Sequence, residues 1–363
     1  MNSKRTDINW EETLELYMGV VNHVDLRPFV DAGYSSDQLS EIRRGLEHHV
    51  DISLYTSRRF DSDQMREIRE GLEDKINAEI YAKPSYSTAR MREVHIGLVN
   101  KVDVSIYNKD DYSPIQMKEL REGLEENLDI TPLLNPKFSA TQMREIRLGI
   151  KNGIDVSIYA KKEYAATQMR EIRFGLEAKI DVTPYLNPMY NAEQMSEIRM
   201  GILENIDISQ YIEKGFNAEQ MEEIRVGLLE NLDVSKYSIN TLDSLQMHEI
   251  YLGLKSKVNV DIYRHYDSWV KMRIIRISLE HHIDLSSYID KGYSWGQVEE
   301  IFNGILSGVD VSKYIDKKYK WSQMREIRLG LEKGIDITEF IDDDKDISWM
   351  QMKDIRNSLT ESR

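Results

Sequence analysis

A glycine returns at one fixed interval along most of this chain. It stands at Gly19, Gly45, Gly71, Gly97, Gly123, Gly149, Gly175, Gly201, Gly227 and Gly253. The interval is then one shorter at Ser278, is restored at Gly304 and Gly330, and is two longer at Ser358. The flanking sequence recurs with it, SATQMREIRLGIKNGIDVSIY over 139–159 becoming AATQMREIRFGLEAKIDVTPY over 165–185. A period of this size marks a repeat array, in which each copy buries its apolar face on its neighbours. Fourteen units cover nearly all of the 363 residues. The expected fold is all-α, a single α-solenoid domain over residues 1–363 of about 14 tandem 26-residue units, each one long helix plus one short helix.

The sixth unit shows why. Ser139 followed by Gln142 reads as a capping box, and Phe138 with Met143 as its hydrophobic staple. Ser, Asp or Asn fills the cap position in 12 of 14 units, with Ala165 and Lys320 departing. Pro114 stands at the first helical position of its unit, where proline is tolerated. Met143, Ile146 and Ile150 share one face at helical period. Gly153 can end the helix, with Ile154 packing after it. Asp155 then caps a short second helix, and Tyr159 closes the unit, an aromatic position in 12 of 13 units from which Leu133 departs. The anchor glycine is expected on a flank of the long helix, where its missing side chain admits the neighbouring helix.

Within Glu-Ile-Arg, the arginine recurs in ten units, Arg276, Arg328 and Arg356 among them. Residues two apart on a helix do not face each other, so Glu145 and Arg147 are no pair within one unit. Either the arginines form ion pairs to the Glu or Asp of the next copy, or they form a ladder for phosphates or carboxylates. Tyr17, His95, Tyr251 and Phe302 replace the arginine, and residues 248–302 break the pattern most, with Ile274 in the acidic position. Such breaks are often functional sites, and a bend is the other reading.

Two stripes remain. Trp10, Trp269, Trp295, Trp321 and Trp349 all stand nine residues before the anchor. They read as a stacking edge for bases, sugars or partner side chains, or as adapted ends of the array. One residue before the anchor come Leu148, Phe174, Met200, Val226, Leu252 and Ile277, where flanking units carry Arg44, Glu70, Glu122 and Asn303. Helical rotation turns this position roughly away from the core. With Leu203 and Leu229 nearby, it is a candidate protein-binding or self-association face. Two-sided burial of the helix is the other reading.

The net charge of −15 argues against a general nucleic-acid coat, and direct nucleic-acid binding is not expected. With no cysteine there are no disulfides, thiolate metal sites or cysteine nucleophiles. No long apolar window spans a membrane, the early residues lack an apolar leader core, and a cytoplasmic location is expected. No phosphate loop, HExxH or GxSxG is present, so no catalytic residue, cofactor or metal is expected and the chain is read as a non-enzyme. His48–His49 and His281–His282 read as surface residues, since neighbouring histidines at a helix end point apart.

The run QMREIRLGLEKGIDI over 323–337, with its sister units, resembles the tandem "QMxEIRxGLExGxDVSxY" helical-repeat proteins of Firmicutes phages and conjugative mobile elements. The resemblance carries no established activity; it implies a bacterial or phage-infected cytoplasm. The leading expectation is a protein-binding scaffold that engages a host factor, such as a defence protein, or a second copy of itself. The alternatives are a nucleotide or small-ligand sequestering protein, with Arg276, Arg328 and Arg356 on phosphate and Trp269, Trp295, Trp321 and Trp349 on bases, and an acidic mimic of DNA.

Overall fold

The computed structural model describes residues 10–341 and 347–361. The cap of the first helix, Asn9, and most of the amino-terminal segment considered for a leader lie outside them. Among the described residues there are sixteen α-helices, eleven 3₁₀ helices and no strand. Fourteen of the α-helices are the long helices of the fourteen units, from Trp10–Val21 to Trp349–Glu361. The chain is an all-α solenoid of tandem repeats. It divides into two compact units, Met1–Met195 and Ser196–Arg363. Within each, successive long helices lie side by side.

Local chemistry starts most of the long helices as the sequence suggests, although Ser268 makes no side-chain cap bond. Ser139 Oγ accepts from the Gln142 N–H, and Gln142 Oε1 accepts from the Ser139 N–H. The glutamine has a further task. Its Nε2 donates to the Tyr164 carbonyl just before the next unit's cap, at 2.7 Å. Gln38, Gln116, Gln220 and Gln297 repeat that bond to Phe60, Phe138, Leu242 and Tyr319. One side chain thus caps its own helix and ties it to the next unit. Where Ala165 and Lys320 supply no capping oxygen, Gln168 and Gln323 still accept the N–H of those residues.

The long helices of the first thirteen units end in a left-handed residue four positions after the anchor. Gly153 has φ 70°, but the same site is His49 at 58°, Lys75 at 57°, Lys101 at 59° and His282 at 60°. The next N–H reaches back to the anchor carbonyl, as from Ile154 to Gly149 at 2.8 Å, which is the Schellman closure. A side chain in this conformation costs about 1–2 kcal/mol. Part of the gain from removing it is lost to the freer unfolded chain, so Lys75→Gly should stabilise by roughly 0.5–1 kcal/mol. Urea unfolding measures this, and a loss of stability would contradict the assignment.

The short segment is mostly a single 3₁₀ turn. Asp155 caps Val156–Ile158 by accepting from the Ser157 N–H at 3.1 Å. In nine units the anchor glycine faces the closing tyrosine of its own unit, not the neighbouring helix; Gly123 and Gly330, whose units have no such tyrosine, meet Ile130 and Ile335 instead. A Cβ on Gly149 would lie 1.9 Å from Tyr159 Oη, and on Gly45 1.8 Å from Tyr55 Oη. The tyrosine folds back over the bare backbone and donates to the Glu145 carbonyl at 3.0 Å. Tyr81, Tyr107, Tyr237, Tyr263 and Tyr314 do the same in their units.

Four units lack the lock, and two of them, with Leu133 and Phe340 at the closing position, keep the 3₁₀ turn as Thr131–Leu133 and Ile337–Phe340. The other two rewind. The first unit closes with Phe29, which has no hydroxyl to donate. The eleventh has Ser278 in place of glycine, so the seat of its Tyr288 is filled. In both the segment winds into a five-residue α-helix, Arg27–Asp31 and Ser286–Asp290. Phe29 and Tyr288 leave the seat and pack edge-on against Tyr34 and Tyr293, at 5.9 and 6.0 Å between ring centroids.

Candidate functional site

The arginine ladder is internal. Arg147 Nε donates to Glu119 at 2.9 Å and Nη2 to Glu122 at 2.6 Å, both in the preceding unit. The pairing therefore runs backward along the chain, not to the next copy. The long side chain two residues before the anchor reaches the preceding helix, where the glutamate four residues before that unit's anchor is buried. Arg69 to Glu41, Arg173 to Glu145 and Arg225 to Glu197 follow the same rule.

The arginines offered to a phosphate are spent the same way. Arg276 donates to Glu249 at 2.7 Å and Glu280 at 2.8 Å. Arg328 donates to Glu300 and Glu332, and Arg356 to Glu326. Burial works against the charge on Arg276 and Arg328, but their carboxylate partners outweigh it and hold both pKa values up. As placed, these three guanidiniums bind carboxylates of the array.

The tryptophans do not form one uniform edge. Trp269 and Trp295 are half-buried, and Trp10, Trp321 and Trp349 are exposed. Trp295 meets Tyr266 edge-on at 5.0 Å and takes Lys271 Nζ over its ring at 5.4 Å. Trp321 lies over Gly296 of the preceding unit, where a Cβ would come within 2.8 Å of its ring.

The apolar stripe lies at the margin of the stacking seam. In the first compact unit, Leu148 is half-buried and Phe174 is 37% exposed, with the Arg173 guanidinium 4.7 Å from its ring centre. In the second, Met200, Val226, Leu252 and Ile277 are half-buried. Neighbouring helices about 8–10 Å away cover much of a position that helical rotation alone would leave open. Ile96 and Leu329 occupy the same position and are half-buried too, so the stripe is not confined to the middle units. More exposed apolar residues flank it, at positions that Val99, Ile115 and Leu306 fill in other units. Leu203 and Leu229 lie two residues after their anchors, and Leu245 and Val270 eight before theirs. Their exposure runs from 44% at Val270 to 52% at Leu245. Leu245 and Val270 escape a position-by-position reading, but fall on the outward face when helical period is followed from Leu252 and Ile277.

The breaks in the ladder divide into two kinds. Ile274 replaces the glutamate of the eleventh unit, and Phe302 replaces the arginine of the twelfth that would have met it; both are buried. That double departure is the sequence signal for the direction of pairing. His95 and Tyr251, by contrast, leave Glu67 and Glu223 in place without their arginine. Each glutamate meets a histidine instead. His248 Nδ1 lies 3.0 Å from Glu223, whose pKa burial raises despite that contact. Tyr251 turns to Glu230, donating at 3.0 Å.

His95 is buried in the seam between the helices Ser62–Glu73 and Thr88–Val99. Its Nε2 lies 2.8 Å from Asp74 Oδ2 and its Nδ1 3.5 Å from Glu67 Oε2. Burial lowers its pKa, but the hydrogen bonds of Glu67 and Asp74 outweigh that and raise it. Ligand atoms of Glu67, Glu70 and His95 lie within 4.8 Å of one another. The adjacent histidine pairs assemble nothing similar, since His49 and His282 are the left-handed helix closures.

No helix among the described residues is long and apolar enough to cross a membrane. Compared with known proteins, the chain matches no family model, no curated protein and no solved structure.

Proposed function

We propose that this chain is a non-enzymatic scaffold that binds a protein partner along the outer face of its second compact unit. The observation that carries the proposal is the row of open apolar side chains Leu203, Leu229, Leu245 and Val270 beside the half-buried Met200, Val226, Leu252 and Ile277. The repeated Glu, Arg and Gln are committed to holding units together, and the repeated Tyr to closing its own unit. The open side chains have no such task and expose apolar surface to water.

On four successive parallel helices, Leu203 and Leu229 lie toward one end and Leu245 and Val270 toward the other. Ten residues of helix separate these levels, about 15 Å at 1.5 Å per residue. The band crosses the helices diagonally, and the apolar face of an amphipathic partner helix would cover it. Glu219 and Glu222, both exposed beside the band, favour a partner with basic residues along one edge. Resemblance to repeat proteins of phages and conjugative elements supports a host protein, such as a defence factor, as that partner; a second copy of the chain would use the same face.

Affinity capture from bacterial lysate tests this with wild type and L203E/L229E/L245E/V270E, both checked for helical circular dichroism. A protein retained by the wild type and at least tenfold depleted with the folded variant is the expected result. Equal retention by both would remove the outer face as the binding surface. Static light scattering of the same two proteins separates a host partner from self-association. Weakening by salt alone, with the apolar substitutions silent, would favour mimicry of DNA by the acidic surface.

A further inference from the structure

We propose that Glu67, Glu70 and His95 form a divalent-cation site of the zinc class, which joins the third and fourth units where the arginine bond is missing. Glu67 and Glu70 stand three residues apart and so share one face of Ser62–Glu73. His95 faces them from Thr88–Val99 at the position that holds a ladder arginine in ten other units. A metal ion there would bridge the same two helices as the guanidinium it replaces.

The geometry fits the ion. Zinc bound to nitrogen and oxygen at about 2.0–2.2 Å sets its ligand atoms about 3.3–3.5 Å apart along a tetrahedral edge. Nδ1 of His95 and Oε2 of Glu67 are 3.5 Å apart, the length of that edge as well as of a weak hydrogen bond. Arg92 holds the other oxygen of Glu67 at 2.6 Å, which leaves Oε2 for the ion. Asp74, 2.8 Å from Nε2, can accept that N–H and so present the Nδ1 lone pair to the ion, the usual outer support of a metal-bound histidine. Glu70 lies 3.4 Å from Arg69, whose closer contacts are Glu41 at 2.8 Å and Glu73 at 2.6 Å. Three carboxylates, Glu67, Glu70 and Asp74, surround the imidazole, and Arg92, bound to Glu67, offsets one of them. The local charge is then about that of a dianion, which a divalent ion neutralises. A water completes the fourth position. The N,O donor set suits zinc or cobalt(II) better than a hard ion, which prefers oxygens alone.

The probes are Zn(II) by isothermal titration calorimetry and Co(II) by its visible d–d absorption, on the full chain. H95R restores the repeat's own residue, so it removes the ligand with the fold kept, as circular dichroism will check. Wild type is expected to bind one ion and to gain thermal stability from it, and H95R to bind at least 100-fold more weakly. D74N should weaken binding by about 10–100-fold by loosening the histidine. E70Q should lower affinity and change the Co(II) spectrum. Wild-type binding no tighter than that of H95R, or a Co(II) spectrum unchanged by E70Q, would overturn the site. His95 would then act only as a protonated stand-in for the arginine.

Discussion

Gly149→Ala is expected to destabilise the chain by about 2–4 kcal/mol, and adding Tyr159→Phe to recover much of that loss. The new Cβ would lie 1.9 Å from Tyr159 Oη and 2.8 Å from Val156 Cγ1. Overpacking of this kind costs roughly 1–3 kcal/mol, and displacing the hydroxyl from the Glu145 carbonyl a further 1–3 kcal/mol. Alanine's better helix propensity returns about 1 kcal/mol, which does not reverse the sign. Y159F alone should cost about 1–2 kcal/mol, because one buried hydrogen bond is lost. The double variant removes the clashing oxygen, so the two effects should not add. Chemical denaturation of the four proteins of the cycle measures this. A neutral or stabilising G149A would show that tyrosine does not depend on the bare backbone. Ser278 is the chain's own precedent: with a side chain at the anchor, Tyr288 has left the seat and the segment has rewound as α-helix.

The second large effect is expected in the ladder. Arg147→Phe alone should cost about 3–5 kcal/mol, because it leaves Glu119 buried without its arginine, and Glu119→Ile alone less, because Arg147 keeps Glu122 at 2.6 Å. Arg147 is 7% exposed and Glu119 also 7%. Together the two substitutions should cost no more than about 1–2 kcal/mol, since an apolar pair of similar volume replaces a buried ion pair at little net loss. Ile274 and Phe302 are the same exchange made in the chain itself, both buried and in the same register as Glu119 and Arg147. Urea unfolding of the singles and the double gives the coupling. Additive losses would mean that Glu119 and Arg147 act on different neighbours.

What could be read from the sequence was what is local or periodic. The 26-residue period leads directly to tandem helices, and Ser139 with Gln142 to a helix start. Gly153 is a helix end by its chemistry alone. Contacts between segments were harder. Nothing within one unit says that Gly149 is bare for the sake of Tyr159, ten residues on and across a turn. Whether the short segment is α or 3₁₀ does not follow from the closing residue alone, since the units of Leu133 and Phe340 keep the 3₁₀ turn without a tyrosine. The direction of the arginine bonds was encoded in the paired departure of Ile274 and Phe302, visible only when departures are compared between units. Helical period pointed Val226 and Ile277 outward, but flanking helices cover half of what rotation exposes. His95 stood out as a departure; its place beside Glu67, Glu70 and Asp74 depends on which faces of adjacent units meet.

The division of labour between repeated and open residues can be tested in a single quantitative capture experiment. Its baits are wild type, the outer-face variant L203E/L229E/L245E/V270E, the edge variant W321S/W349S, which restores the small residue found at that position elsewhere, and the ladder variant E119I/R147F. The expected result is one protein held equally by wild type, the edge variant and the ladder variant, and lost at least tenfold by the outer-face variant alone. Retention by the outer-face variant together with loss by the edge variant would contradict it, and would move the binding surface to the tryptophans.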